Sequence, residues 1–467
     1  MERLRSFVAS IKANEPEYEP LTHDAGPQEQ DGGADRPDKP SFSWLEYSAF
    51  VVIGLAMLWA WNMFLAAAPY FQKRFAGDEW IQENFQSSIV SVSTITNLTA
   101  MLILTNIQTS ASYPFRINTA LVIDVALFGL LTASTTCFLD ASKPLYLAFA
   151  LAMVCGSAWA TGLIQNGAFA FAASFGRPEY TQAIMAGQGI AGILPPLAQM
   201  LSVLAVPSQK SSQTKAPIEG QPVPEPSSTP DEGGKSAFIY FLTAVGVSAL
   251  TLIVFQPLAR RHSRLVEGRA GTAGHAPTQP VERVARHFVS MKTLFHRLHW
   301  LAGSVFMCFV VTMFFPVLTG KIVSVHDSRD AGRLFESDVF IALAFFFWNL
   351  GDLLGRVATS VPGLTVWWQR RPTALFAFSI GRVLFLPLYM LCNIRGRGAL
   401  VNSDVFYLVV VQFLFGLTNG WLCSSSMIAA GEWVPEHERE AAGGFMGLCL
   451  TAGLTAGSLL SFTAAGI

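Results

Sequence analysis

The chain has 467 residues, a formal net charge of -1, and only 13% charged against 51% hydrophobic residues. Soluble globular proteins carry about 25% charged residues, so this chain cannot cover a water-facing surface, and a soluble enzyme or a disordered scaffold is excluded. With no basic face and no net positive charge, nucleic acid is excluded as a partner, and an all-α polytopic membrane protein in a lipid bilayer remains.

Residues 1–45 are polar and punctuated by Glu, Asp, Pro and Gly, and read as a disordered tail. Within it, Tyr18-Glu19-Pro20-Leu21 has the tyrosine–x–x–apolar form that sorting adaptors bind, a form that also arises by chance. A membrane helix needs about 20 mostly apolar residues. That template predicts eleven spans, at 46–71, 86–109, 117–138, 145–173, 181–206, 237–259, 299–320, 338–360, 373–394, 404–430 and 440–464. The second is the most dilute in apolar residues. Runs of this length exclude a β-barrel, whose strands are about 10 residues long.

Two polar stretches interrupt the series. Residues 207–236 are rich in Pro, Ser, Gln and Gly and read as a disordered linker. Residues 260–298 are basic, with Arg260, Arg261, Arg264, Arg269, Arg283, Arg286, Lys292 and Arg297 against Glu267 and Glu282. Basic loops stay cytoplasmic. This loop follows the sixth span, so the N-terminus is cytoplasmic and the C-terminus lies on the opposite face. The chain divides into a six-helix bundle at 46–259 and a five-helix bundle at 299–467, and two bundles around a central path are a transporter layout.

Charges within spans are costly and are functional candidates by default. Four stand away from span ends: Asp124, Asp352, Arg356 and Arg382. Asn349, Asp352 and Arg356 are three and four apart and share one helix face, so an amide, a carboxylate and a guanidinium converge on one side. Such a set can hydrogen-bond a polyol or a heterocycle from several directions. The plainer alternative is a neutralised pair tying two helices together. In the first span Leu58, Trp61, Asn62 and Leu65 share a face that offers a flat π surface with a donor and an acceptor; the alternative is an interfacial aromatic belt. Gln165 and Asn166 interrupt the fourth span. Asp124 reads either as a proton-titrating carboxylate or as a tethering contact. Arg382 needs an acceptor, a carboxylate or a helix carbonyl freed by Pro387, which favours a structural role.

Pro195-Pro196, Pro316 and Pro387 are expected to bend their helices, and Gly443/Gly447 and Gly453/Gly457 mark the last span as closely packed. Six cysteines sit in or at the ends of apolar runs with no CxxC spacing, and no histidine pairs with them at ligand spacing. No metal and no cofactor is expected. No HExxH, Ser/His pair or paired carboxylates lie within a helix, so a membrane enzyme is not expected either.

Several of these strings resemble one family. Trp61-Asn62 followed by Pro69-Tyr70-Phe71 is similar to the first helix of the equilibrative nucleoside transporters. Met185–Gly192, Phe315-Pro316, Asn349–Arg356, Arg382 through Leu391-Cys392-Asn393, Gly416–Gly420 and Ala441-Ala442-Gly443 resemble helices five, seven, eight, nine, ten and eleven, in order over about residues 46–465. The resemblance implies eleven helices in a fold similar to the major facilitator superfamily, and facilitated diffusion of nucleosides, sometimes nucleobases, by alternating access. It implies that Leu58, Trp61, Asn62, Leu65 and Leu454 line the pocket, that Gln165 meets the base, and that Asp352 and Arg356 hold the ribose with Asn349 nearby. A proton-coupled nucleoside or nucleobase carrier, and another small-polar-solute carrier of the wider superfamily, are the alternatives. A monomer is expected, in the plasma membrane or a vacuolar or lysosomal membrane.

Overall fold

The computed structural model describes residues 42–107, 112–138, 141–205, 232–272, 289–326, 332–461 and 463. The adaptor string Tyr18–Leu21 and residues 206–231 of the linker region lie outside them. Apart from one antiparallel bridge between Ile322 and Ile394, the regular elements among the described residues are helical.

Prolines and capping side chains set where the helices start and stop. α1 (Trp44–Ala66) yields to α2 (Ala68–Arg74) because Pro69 has no N–H for the preceding turn. α3 (Glu79–Asn106) begins at Asp78, whose carboxylate accepts from the Ile81 N–H at 3.1 Å. α4 (Tyr113–Cys137) and α5 (Lys143–Ser174) each carry a proline in the first turn, where the missing donor costs nothing. α6 (Pro178–Ala205) and α7 (Glu232–Thr272) complete the first half. The second half holds α8 (Met291–Thr312), α9 (Phe314–Thr319), α10 (Ser337–Ala358), α11 (Pro362–Gln369), α12 (Pro372–Gly381), α13 (Phe385–Tyr389), α14 (Leu414–Ala430) and α15 (Arg439–Ser461).

Among the described residues ten helical stretches are long and apolar enough to cross a membrane, so the expected count of eleven is not reached on that measure. α6 stands in the place of the expected fifth span and is 28 residues long, but it is not one of the ten. The side chains of its last five residues, 201–205, are not among the described ones, and Gln182, Gln188, Gln199 and two prolines dilute the apolar run that is left. α7 already includes residues 232–236, expected as linker, and runs on to Thr272 before α8 starts at Met291, inside the stretch expected as a basic loop. Good helix formers such as Arg, Leu, Glu and Ala carry the helix past the apolar run.

The prolines divide. Pro316 follows a break at Met313 between α8 and α9, and Pro387 follows a 3-10 turn at Arg382–Leu384, whereas α6 passes through Pro195 and Pro196 without interruption. A π-helical turn, Phe406–Phe413, leads into α14.

In the first half α1 packs on α6 and α7, α4 on α5 and α7, and α3 on α5. In the second, α8 packs on α12, α14 and α15, and α10 on α14. α6 meets α10, and α15 meets α5 and α3, across the two. These approaches need glycine. A Cβ on Gly187 would lie 2.0 Å from the Val51 carbonyl oxygen, and one on Gly420 would lie 1.9 Å from that of Asp352. The tight packing expected of the last helix is present too, since a Cβ on Gly453 would meet the Phe306 oxygen of α8 at 2.5 Å.

The apolar cores are distributed unevenly. One core joins both halves at the end where α1 begins, drawing on Phe50, Phe171 and Tyr180 from the first and Leu298, Met427 and Phe445 from the second. At the other end each half has its own core, around Phe64, Phe71 and Phe85 in the first and around Phe315, Trp348 and Phe415 in the second. The halves are therefore sealed together at one end and packed separately at the other.

Candidate substrate site at the seam between the halves

Gly351 and Gly355, on the face of α10 next to its polar one, let the helix lie against the backbone of Phe413, Leu417 and Trp421. Asp352 and Arg356 are both buried. Arg356 Nε donates to Asp352 Oδ2 at 2.7 Å, the i,i+4 pair expected from the spacing. The other carboxylate oxygen accepts from Asn419 Nδ2 of α14 at 2.7 Å. The far nitrogen of the guanidinium crosses the seam and donates to the Met185 carbonyl at 3.2 Å and to Gln188 Oε1 at 3.1 Å, both on α6.

The same stretch of α6 receives α1. Asn62 Nδ2 donates to the Ala191 carbonyl at 2.8 Å, and the Gln188 amide points to Met57 Sδ at 3.9 Å. Next to Ala191, Gly192 lies against Asn349, whose Oδ1 would be 2.6 Å from a Cβ there. The amide of Asn349 donates to its own helix at the Phe345 carbonyl, 2.8 Å away. Asn62, Asn349, Asp352 and Arg356 are thus gathered around residues 185–192 of α6.

The remaining candidates lie further along the seam or away from it. Gln165 Nε2 donates to the Gly447 carbonyl at 3.4 Å, where α5 meets α15. Leu454, on α15, is half-buried against the joint core. Trp61 is half-buried against the separate core of the first half, Leu58 is half-buried, and Leu65 lines a recess with Phe64, Phe71, Gln82 and Gln86 at the unsealed end. Asp124 touches none of these: its partner is the Ser157 hydroxyl of α5 at 3.4 Å, inside the first half. Arg382 does not bond a carbonyl freed by Pro387. It donates to the Cys308 carbonyl at 2.9 Å, to the Phe415 carbonyl at 3.4 Å and to Thr418 Oγ1 at 3.3 Å.

Reading the sequence for charges missed the amides. Gln188 and Asn419 contact the charged pair directly, yet as uncharged residues between glycines they stood only as parts of motifs. An uncharged amide in mid-span has to be bonded, and that would have been the signal. Asn166, the other amide of the fourth expected span, is bound to Arg116 and, at 3.3 Å, to Thr105. Among the described residues no cluster could hold a metal ion.

A buried, hydrogen-bonded polar set between two helical halves sealed at one end defines a membrane carrier. Solved structures share the fold. The proton:xylose symporter XylE superposes with a TM-score of 0.54 at 11% identity over 89% of this chain and 86% of that one. A variant of the Escherichia coli fucose:proton symporter FucP gives 0.51 at 13% identity over 91% and 93%. Both have the fold of the major facilitator superfamily.

The family model described as nucleoside transporter matches residues 151–268 and 267–465, and the chain belongs to that family. It is similar to nucleoside transporter FUN26 of Saccharomyces cerevisiae, 28% identical over 90% of this chain and 83% of that one. It is also similar to equilibrative nucleoside transporter 1 of Homo sapiens, 26% identical over 91% and 97%. The protein is a multi-pass membrane transporter and not an enzyme.

Proposed function

We propose that the protein moves nucleosides by facilitated diffusion through the seam between its halves. The observation that carries this reading is the position of the Asp352–Arg356 pair, buried on the second half and hydrogen-bonded across the seam to α6. A ribose brings vicinal hydroxyls that donate to a carboxylate and accept from a guanidinium, and Asp352 and Arg356 supply both, with the Asn349 amide alongside. Trp61 gives the base a flat face, Asn62 and Gln165 bond its polar edge, and Leu58, Leu65 and Leu454 complete the apolar wall. The names of the two relatives point to the same solute class.

The joint core at one end and separate cores at the other support an alternating-access cycle. The seam opens at the sealed end as Arg356 leaves Met185 and Gln188. The moving bodies are the bundles at 46–259 and 299–467, joined by the stretch at 260–298. With that basic stretch cytoplasmic, the N-terminus and the sealed end are cytoplasmic and the C-terminus lies across the membrane. The carrier works as a monomer, in the plasma membrane or a vacuolar or lysosomal membrane, where the string Tyr18–Leu21 would serve as an adaptor contact.

A second reading, proton-coupled transport, draws on Asp124, a buried carboxylate with a hydroxyl for a partner. Uptake of radiolabelled uridine and adenosine into proteoliposomes, with and without a pH gradient, separates the two. Saturable uptake without a gradient is expected. Uptake only under an inward proton gradient would favour coupling, and no uptake of either nucleoside by folded protein would overturn the nucleoside reading.

A further inference from the structure

Arg382 is 1% exposed, and none of the partners described for it is a carboxylate. It lies in the turn after α12, with its guanidinium carbon 4.8 Å from the centre of the Phe415 ring. A buried cation among neutral acceptors is costly. Its second terminal nitrogen donates to Thr312 Oγ1 at 3.4 Å. The Thr312 hydroxyl donates in turn to Asn419 Oδ1 at 2.5 Å, and Asn419 Nδ2 donates to Asp352 Oδ1 at 2.7 Å.

Chemistry fixes the direction of this chain. A carboxylate only accepts, so Asn419 must turn its nitrogen to Asp352 and its oxygen to Thr312 and to the Cys308 thiol, which donates to it at 3.2 Å. The Thr312 hydroxyl has one proton and two acceptors, the Cys308 carbonyl at 2.7 Å and the nearer Asn419 Oδ1, which the carboxylate already holds in the accepting orientation; the relay is the arrangement in which the proton goes to Asn419. Every donor therefore runs from the cation toward the anion, the arrangement in which successive hydrogen bonds polarise one another.

We infer that Arg382, acting through Thr312 and Asn419, is a second and fixed counter-charge for Asp352. The inference rests on the nucleoside reading of the Asp352 site. Arg356 is shared with α6 across the seam, whereas Arg382, Thr312 and Asn419 all belong to the second half and move with Asp352. When Arg356 leaves its partners on α6 or turns to substrate, the relay keeps the carboxylate paired and aimed. Arg382, Thr312 and Asn419 are thus positioning residues. The ionisable groups around Asp352 are Arg356 on its own helix, Cys423 from α14, Cys308 from α8 and Arg382; α6 brings the amides of Gln182 and Gln188, and Tyr407, in the π-helical turn, is bonded to Gln412.

The test is the saturation curve of uridine uptake into proteoliposomes by purified full-length protein. Thr312→Val removes the hydroxyl at nearly constant volume. It should raise KM about tenfold, because Asp352 is then no longer aimed, whereas a merely structural loss would lower the maximal rate at unchanged KM. Thr312→Ser should keep the wild-type KM. Arg382→Gln should raise KM at least as far, with no added rise from Thr312→Val in that background. If Arg382→Gln does not fold, the Thr312 pair decides alone. A wild-type KM in Thr312→Val, or an equal rise in Thr312→Ser, would overturn the relay. Absence of uptake by the wild-type protein would instead overturn the nucleoside reading.

Discussion

Asp352 and Asp124 are the same residue type, each 4% exposed, one in each half of the transporter. Their surroundings differ in the number and charge of their donors. Asp352 has a guanidinium at 2.7 Å on one oxygen and an amide at 2.7 Å on the other. Asp124 has a hydroxyl at 3.4 Å. The first environment is built to hold an anion, since one partner is a cation on the same helix, the other is an amide from α14, and the cation itself bonds across the seam. The second offers a neutral contact between two helices of the same half. Burial alone therefore does not mark a working carboxylate; the partners do, and above all whether they reach the other half.

The largest expected effect breaks the first environment. Asp352→Asn leaves Arg356 without its anion, and Arg356→Ala leaves Asp352 without the cation in direct contact with it; removing one member of a buried pair costs about 3–5 kcal/mol. Each should lower uridine uptake by on the order of 100-fold, with protein still present in the membrane by immunoblot. Normal uptake in both would mean that the pair only ties helices together.

Next comes the backbone that presents the pair. A Cβ at Gly420 would enter the space of the Asp352 carbonyl oxygen, 1.9 Å away, and α14 would have to withdraw from α10. Gly420→Ala should cost about 1–3 kcal/mol, seen as a lower apparent Tm in detergent. An unchanged Tm would show that the contact between α10 and α14 relaxes freely.

This contrast explains how much was legible in advance. The spacing of Asn349, Asp352 and Arg356 could be read because helix geometry converts spacing into a shared face. The neighbours Gln188 and Asn419 could not, because their contacts with the pair bridge 168 and 67 residues of sequence, and only packing brings such groups together. The helices were legible for the same reason as the pair: a bilayer demands long apolar runs. α6 was legible as a helix, while its glutamines and prolines, which dilute the apolar run, belong partly to the seam. Sealing at one end was not legible at all, since it depends on which apolar residues share a core.

Gln188→Leu should sharpen the comparison with a smaller effect. It removes a hydrogen bond to a charged group that spans the seam, worth about 1.5 kcal/mol or more. The state sealed at the α1 end becomes rarer, so the apparent affinity for substrate entering from the opposite end should fall by up to about tenfold. The saturation curve should show this as a raised KM. A lowered maximal rate at unchanged KM would instead place Gln188 in the transport step itself.

The smallest effect is expected at Asp124. Asp124→Asn keeps the shape, keeps an acceptor for Ser157 and removes no ion pair. One long hydrogen bond contributes about 0.5–1.5 kcal/mol, and it lies away from the seam, so uptake at neutral pH should stay within about twofold of wild type. The response to an imposed pH gradient should not change. If the variant instead transported only down the nucleoside gradient while the wild type followed the proton gradient, Asp124 would be the titrating group. The two carboxylates would then divide the work, one holding solute and the other holding the proton.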